Sequence, residues 1–107
     1  MIEVNIMNNE QFITITHLDD YLSTNSLRIG QKLTLKKDHD NPYDDEAIAV
    51  YSNHGRTGYV ANSVSTVCRG TGSAGFVYSL FDEETECVVR FIAAEYGFAI
   101  CELSAER

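Results

Sequence analysis

The sequence predicts a mainly β protein: a small antiparallel barrel of about six strands, OB-like or SH3-like, with one or two short helices. Short runs of β-branched and aromatic residues recur along the chain, and several alternate apolar with polar positions. Residues that favour turns separate these runs. The length of 107 residues and the 44% hydrophobic content indicate one folded domain over residues 1–107.

The first strands are predicted before residue 40. Residues 2–6 alternate apolar and polar side chains, and residues 11–16 are β-branched and aromatic with a period near two. In residues 32–37, Leu33 and Leu35 fall on one face, and the polar residues between them fall on the other. We therefore expect strands at 11–16 and 32–37, with a shorter one in the lead-in.

A polar, acidic corner at residues 38–46 holds the only proline of the chain. Pro42 fixes its own φ and favours an extended Asn41, and the Asp and Asn side chains around it can bond back to backbone N–H groups. The corner runs without a spacer into an apolar strand predicted at 47–51. Because a sharply turned polar segment beside a buried strand can hold side chains rigidly, we expect the functional site here.

The rest of the chain is predicted to supply the remaining strands and a helix. Residues 52–55 have the composition of a hairpin loop, and Asn62 can cap a helix. The glycine-rich residues 70–75 are interpreted as a connector, since no lysine and no clear helix signal follow them. Residues 76–80 fit either a helical turn or a strand. The predicted elements are strands at 56–60, 86–93 and 98–103, a helix at 62–69 and a solvated turn at 82–84.

Composition narrows the function classes. The net charge is −8, which argues against loose electrostatic binding to nucleic acid, although half of the basic residues lie within residues 28–37. No apolar run approaches the roughly 20 residues that span a bilayer. Residues 1–10 carry no basic residue of a secretory signal. We therefore expect a cytoplasmic protein without membrane contact.

No catalytic, metal or cofactor chemistry is predicted. No cysteine or serine stands beside a histidine in a recognisable nucleophile arrangement. The acidic corner could gather a divalent cation, but Pro42 and Tyr43 occupy positions where an EF-hand needs an oxygen ligand and a glycine. The odd cysteine count, without a Cys-x-x-Cys pair, indicates reduced core thiols at Cys68, Cys87 and Cys101.

Three blocks of sequence, in this order, resemble the HIRAN domain family. They follow the strand at 32–37 and read Asn41-Pro42-Tyr43-Asp44, Ala47-Ile48-Ala49-Val50 and Gly58-Tyr59-Val60. The resemblance covers about residues 12–103. It implies an OB-like barrel with a helix, and a binding module that in some translocases recognises the 3′-hydroxyl end of single-stranded DNA. Nothing here resembles an attached ATPase or nuclease, so such an activity would reside in a separate protein.

The resemblance also implies a site for the DNA end. Asp44 stands where a carboxylate accepts the hydrogen bond of the terminal hydroxyl, a donor that an internal phosphodiester lacks. Tyr43 stands in the pocket wall, and Asn41 holds the turn and can reach a base or a phosphate. The other matching positions are Tyr59, which lines the pocket, Asn62, which faces phosphate, and Phe98, the aromatic residue of the last hairpin.

One departure from the family favours a different function. DNA-binding members carry a basic residue and a stacking tyrosine after the first strand, where this chain has residues 17–21. Tyr21 is the candidate for stacking, but Asp19 and Asp20 would repel phosphate. Together with the charge of −8, this supports an alternative: an acidic protein-interaction or regulatory domain that has lost DNA binding.

Each candidate residue also has a purely structural interpretation. Asp44 could serve only to cap the backbone that follows it. Tyr43 and Tyr59 could be ordinary half-buried aromatic residues of the barrel. Lys36 could be solvated at a strand end or contact phosphate at the edge of the groove. The sequence leaves these alternatives open, together with the partner and the oligomeric state.

Overall fold

The computed structural model describes residues 12–16, 18, 27–62 and 71–104. The strand predicted at 2–6 and the loop with Tyr21 lie outside the described residues. So do Cys68 and the predicted 62–69 helix beyond its first residue.

Six antiparallel strands form the barrel. They are β1 (Phe12–Thr16), β2 (Lys32–Lys37), β3 (Ile48–Ser52), β4 (Gly55–Val60), β5 (Glu84–Ala93) and β6 (Phe98–Leu103). The barrel closes in the order β1-β4-β3-β2-β5-β6, with β6 pairing with β1. The predicted mainly β fold class is therefore confirmed. The predicted ends of β2 and β6 coincide with the observed ones, and β5 begins at Glu84, within the predicted solvated turn.

Alternate strand residues point into the barrel and form its core. On β2, Leu33 and Leu35 are buried while Lys32 and Lys36 are exposed, as the sequence pattern predicted. A fully buried aliphatic side chain is worth roughly 1.5–3 kcal/mol. The inward rows of all six strands therefore supply most of the stability that holds the site in place.

Two of the three cysteines belong to this core. Cys87 and Cys101 are free and buried, as predicted for core thiols. A hydrogen bond with Cys101, together with burial, raises the pKa of the Cys87 thiol. The thiol therefore stays protonated and unreactive at neutral pH.

A short helix begins at Ala74, within residues 70–75, so the prediction of a connector over that whole segment is wrong. This helix, α1 (Ala74–Tyr78), is capped by Ser73, whose hydroxyl oxygen accepts from the backbone N–H of Phe76 at 3.2 Å. The signal that was missed is the serine, because serine is among the preferred residues at a helix N-cap. Residues 76–80 were predicted to be either a helical turn or a strand, and the structure shows that residues 76–78 are helical. No helix in the described part of the chain is long and apolar enough to cross a membrane.

The contact between β1 and β4 depends on a glycine. The seam is short, with Ile15 opposite Val60 and Thr16 opposite Tyr59. A Cβ atom on Gly58 would overlap the backbone carbonyl oxygen of Thr16. The glycine of the Gly-Tyr-Val block is thus required by the close approach of two backbones.

Gly58→Ala should destabilise the barrel, because the added methyl forces β1 and β4 apart. We expect the free energy of unfolding to fall by about 1–3 kcal/mol, measured by urea denaturation. Gly75→Ala is the control, since its methyl would meet chiefly the movable end of the Glu46 side chain and alanine favours the helix. Equal stability of the two variants would contradict the role given to Gly58.

Candidate functional site

The residues of the polar corner form a tight turn between β2 and β3, called here the 41–44 turn. The Asn41 side-chain oxygen accepts from the backbone N–H of Tyr43 at 2.9 Å and from that of Asp44 at 3.0 Å. The backbone N–H of Asn41 donates to the carbonyl of Asp38 at 3.3 Å. The turn chemistry predicted for Asn41 is therefore present, and this side chain fixes the backbone on either side of Tyr43.

Asp44 is half-buried and accepts hydrogen bonds from two directions. Its Oδ1 accepts from the backbone N–H of Glu46 at 2.9 Å, which is the capping predicted for it. Its Oδ2 accepts from the Nδ2 of Asn62 at 3.0 Å. A carboxylate has about four acceptor positions, so these bonds orient the group and leave capacity for another donor.

Asn62 joins three separate parts of the chain. Besides Asp44, its Nδ2 reaches Oε1 of Glu46 at 3.4 Å. Its Oδ1 accepts from the backbone N–H of Gly75 at 2.8 Å, in the first turn of α1. The amide therefore ties the 41–44 turn to the end of β4 and to α1, a link that its sequence position did not reveal.

Tyr43 and Tyr59 differ in their surroundings. The Tyr43 side chain is 93% exposed and projects from a turn whose backbone is held on both sides. Tyr59 is half-buried, and its hydroxyl donates to Oδ2 of Asp38 at 2.7 Å. Asp38 in turn donates its backbone N–H to the carbonyl of Ala47 at 2.9 Å. Tyr59 is thus bonded to the base of the same corner that carries the turn.

Arg56 belongs to this arrangement and was not identified from the sequence. Its guanidinium donates to the Tyr59 hydroxyl at 2.9 Å and lies 5.4 Å from the centre of the ring. Strict alternation would place residues 56 and 59 on opposite faces of β4. The register with β3 shifts between Val50 and Tyr51, so that Thr57 is an extra residue and both side chains share one face.

The remaining candidates lie further from the turn or outside the described residues. Lys36 is exposed on β2, with its Nζ 5.1 Å from the centre of the Tyr51 ring. Phe98 begins β6, which pairs with β5 and β1 and not with the strands that the turn connects. Its ring lies 6.5 Å from that of Phe91. Tyr21 is outside the described part of the chain.

Side-chain contacts tie the corner and the end of β2 to the residues that precede β5. His39 Nε2 lies 2.6 Å from Oε1 of Glu83, and this hydrogen bond lowers the pKa of the Glu83 carboxyl. The Nζ of Lys37 donates to the carbonyl of Phe81 at 2.8 Å and lies 4.2 Å from the centre of the Tyr78 ring. Within the described residues, no three His, Cys, Asp or Glu side chains are grouped so that they could hold a metal ion.

The structure is a small closed β-barrel with a hydrogen-bonded polar turn that carries an exposed tyrosine. The family model of the HIRAN domain matches residues 4–69. The chain therefore belongs to the HIRAN domain family.

Two solved structures are similar to this one in fold. A protein from Lactobacillus plantarum has a TM-score of 0.62 and 17% identity, over 87% of this chain and 88% of that one. The HIRAN domain of human HLTF has a TM-score of 0.59 and 22% identity, over 84% of this chain and 69% of that one. No curated protein sequence matches the chain.

Membership of the family sets the general function. HIRAN domains are known for binding DNA and are binding modules, not catalytic ones. The family therefore supports a nucleic-acid-binding module.

Asn62→Asp should destabilise the site at neutral pH, because it places a carboxylate between Asp44 and Glu46. We expect a loss of about 1–3 kcal/mol in the free energy of unfolding at pH 7. The neighbouring charges raise the pKa of the new carboxyl in the folded state, so the loss should shrink as the pH falls toward about 4. Thermal unfolding at several pH values measures this.

Asn53→Asp, in the exposed loop between β3 and β4, makes the same change of charge away from the cluster. Its stability should follow that of the unmodified protein across the pH range. If both variants behave alike, the network around Asn62 does not hold the turn.

Proposed function

We propose that this domain binds the 3′-hydroxyl end of single-stranded DNA beside the 41–44 turn. The observation that carries the proposal is the Asp44 carboxylate, oriented by two donors and standing next to a tyrosine that is 93% exposed. A terminal hydroxyl can donate a hydrogen bond to this carboxylate, whereas an internal phosphodiester has no proton to give.

Tyr43 supplies the stacking surface of the proposed site. A base stacked on an aromatic side chain is worth about 1–3 kcal/mol, and the contact is tolerant of sequence. The two hydrogen bonds to Asn41 fix the backbone under the tyrosine, so little conformational freedom is lost on binding. A pocket that recognises an end and not a sequence requires this combination.

The other candidates take supporting roles in the proposal. Tyr59, bonded to Asp38 at the base of the corner, lines the site, and Asn62 holds the Asp44 carboxylate in place. Lys36 contacts phosphate at the edge of the groove. Stacking by Tyr21 and contact by Phe98 stay predictions.

The second candidate function is that of an acidic protein-interaction or regulatory domain. The observation in its favour is charge: the chain carries −8, and five acidic residues lie within residues 38–46. Such a surface suits a basic protein partner better than a polyanion. Measurable affinity for single-stranded DNA at physiological salt would count against this candidate.

Asp44→Asn should abolish recognition of the terminal hydroxyl while keeping an oxygen for the Glu46 N–H. A hydrogen bond to a charged group is worth about 1.5–3 kcal/mol, so affinity for a 3′-hydroxyl oligonucleotide should fall roughly 10- to 150-fold. Fluorescence anisotropy should compare ends with a 3′-hydroxyl, a 3′-phosphate and a 2′,3′-dideoxy sugar. The dideoxy end removes the donor without adding charge.

Asp45→Asn is the matched control, since it removes the same charge from the next, exposed residue. It should keep the preference for the free hydroxyl. The mechanism fails if the unmodified protein binds hydroxyl and dideoxy ends equally well.

Tyr43→Ala should weaken binding without changing stability, because the side chain is almost wholly exposed. Loss of one stacked base corresponds to roughly 5- to 150-fold in affinity. Tyr96→Ala is the control, since Tyr96 is 77% exposed between β5 and β6. Equal affinities of the two variants would show that exposed aromatic area near the turn is not used.

A further inference from the structure

The outer face of β2, β3 and β4 carries two tyrosines, each with a cation beside it. Lys36 Nζ lies 5.1 Å from the centre of the Tyr51 ring, and the Arg56 guanidinium lies 5.4 Å from the centre of the Tyr59 ring. Lys36 and Arg56 are exposed, and the tyrosines are half-buried. These four residues are called here the tyrosine face.

The sheet register makes the tyrosine face continuous. Ala49 lies between Lys36 on β2 and Tyr59 on β4, in a row across three strands. Tyr51 forms the next row with Arg56, because of the register shift in β3 and β4. Residues paired in this way point to the same side of a sheet. Ala49 is only 1% exposed, so the larger side chains beside it, the two tyrosines and their cations, form the surface of this face.

The tyrosine face has a charge unlike that of the protein as a whole. It brings two cations together in a chain with a net charge of −8. Acidic residues border it: Asp38 accepts from the Tyr59 hydroxyl, Glu84 lies opposite Lys36, and Glu86 is 3.8 Å from Lys32. These carboxylates limit the basic area to a narrow strip over β3.

We propose that the tyrosine face binds the nucleotides upstream of the 3′ end, with their bases on Tyr51 and Tyr59 and their phosphates on Lys36 and Arg56. The inference rests on the proposed binding of a single strand at the 41–44 turn and gives that strand a path over the barrel. Tyr59 connects the two parts, since its hydroxyl is bonded to Asp38 at the base of the corner.

The chemistry of this face fits a single strand. Grooves that bind single strands combine cations that follow the backbone with aromatic rings on which bases stack. A cation over an aromatic ring at an exposed site is a weaker contact than a stacked base. A base can therefore displace the cation from the face of the tyrosine ring when the strand binds. The displaced Lys36 ammonium then lies close to the ring edge, where the phosphate of the stacked nucleotide comes within reach.

The experiment measures anisotropy with the full chain and two labelled oligonucleotides, a dinucleotide and an octanucleotide, each with a free 3′-hydroxyl. The octanucleotide should bind more tightly than the dinucleotide. Tyr51→Leu should lower octanucleotide affinity about 5- to 150-fold and leave the dinucleotide unchanged. Tyr51→Phe keeps the ring and should keep the affinity.

Salt dependence tests the cations. Lys36→Gln and Arg56→Gln should each reduce the slope of log affinity against log salt by about 0.7 for the octanucleotide. Arg90→Gln is the control, since Arg90 is bonded to Glu102 at 2.9 Å on the β5–β6 side of the barrel. Its slope should equal that of the unmodified protein.

The outcomes separate this inference from the proposed function. Equal binding of the two lengths, with Tyr51→Leu harmless to both, overturns the tyrosine face while end recognition stands. Loss of end preference with a persistent effect of Tyr51→Leu overturns the pocket and supports the tyrosine face. Absence of binding to either length overturns both.

Discussion

The constraint on which the site depends is the contact between β1 and β4. Among the described residues two pairs form this seam, and the strands can approach because Gly58 has no side chain. Tyr59 follows directly and is paired with Thr16 on one side and Ala49 on the other. The backbone of Tyr59 is therefore held by the strands on both sides of it, and this fixes where its side chain begins. The Asp38 and Arg56 bonds then fix the hydroxyl end.

Most of the barrel could be predicted from the sequence because each strand has a local pattern. Alternation in residues 32–37 predicted β2 to the residue, and the hairpin predicted at residues 86–103 placed β6 to the residue. The predictions were wrong where contacts between residues far apart in the sequence determine the secondary structure. Glu84 is in a strand because it pairs with Lys36, and α1 is a helix of five residues that buries Ala74 and Val77. A single helical turn of this length owes its stability to packing and capping more than to intrinsic propensity.

In the site, too, the local contacts could be predicted from the sequence and the contacts between distant residues could not. Turn chemistry is local, so the bonds of Asn41 and the cap made by Asp44 could be foreseen from residues 41–46. The Asn62 network joins segments 13 to 18 residues apart, and no local rule connects them. Arg56 was missed for a different reason, since the extra residue in β4 breaks the alternation used to assign faces. A bulge of this kind cannot be located from alternation alone.

The net charge of the chain does not by itself decide between the two candidate functions. Charges separated by more than about 8–10 Å are largely screened at physiological salt, so the total of −8 says little about one groove. In the proposed site, a strand would meet a carboxylate at the 41–44 turn and two cations on the tyrosine face. Carboxylates around the turn repel internal phosphates, which lack a proton to donate, and accept a terminal hydroxyl. Under the proposed function, the acidic turn would therefore favour a terminal hydroxyl over an internal phosphate at that one position, while the tyrosine face would supply the contacts along the strand.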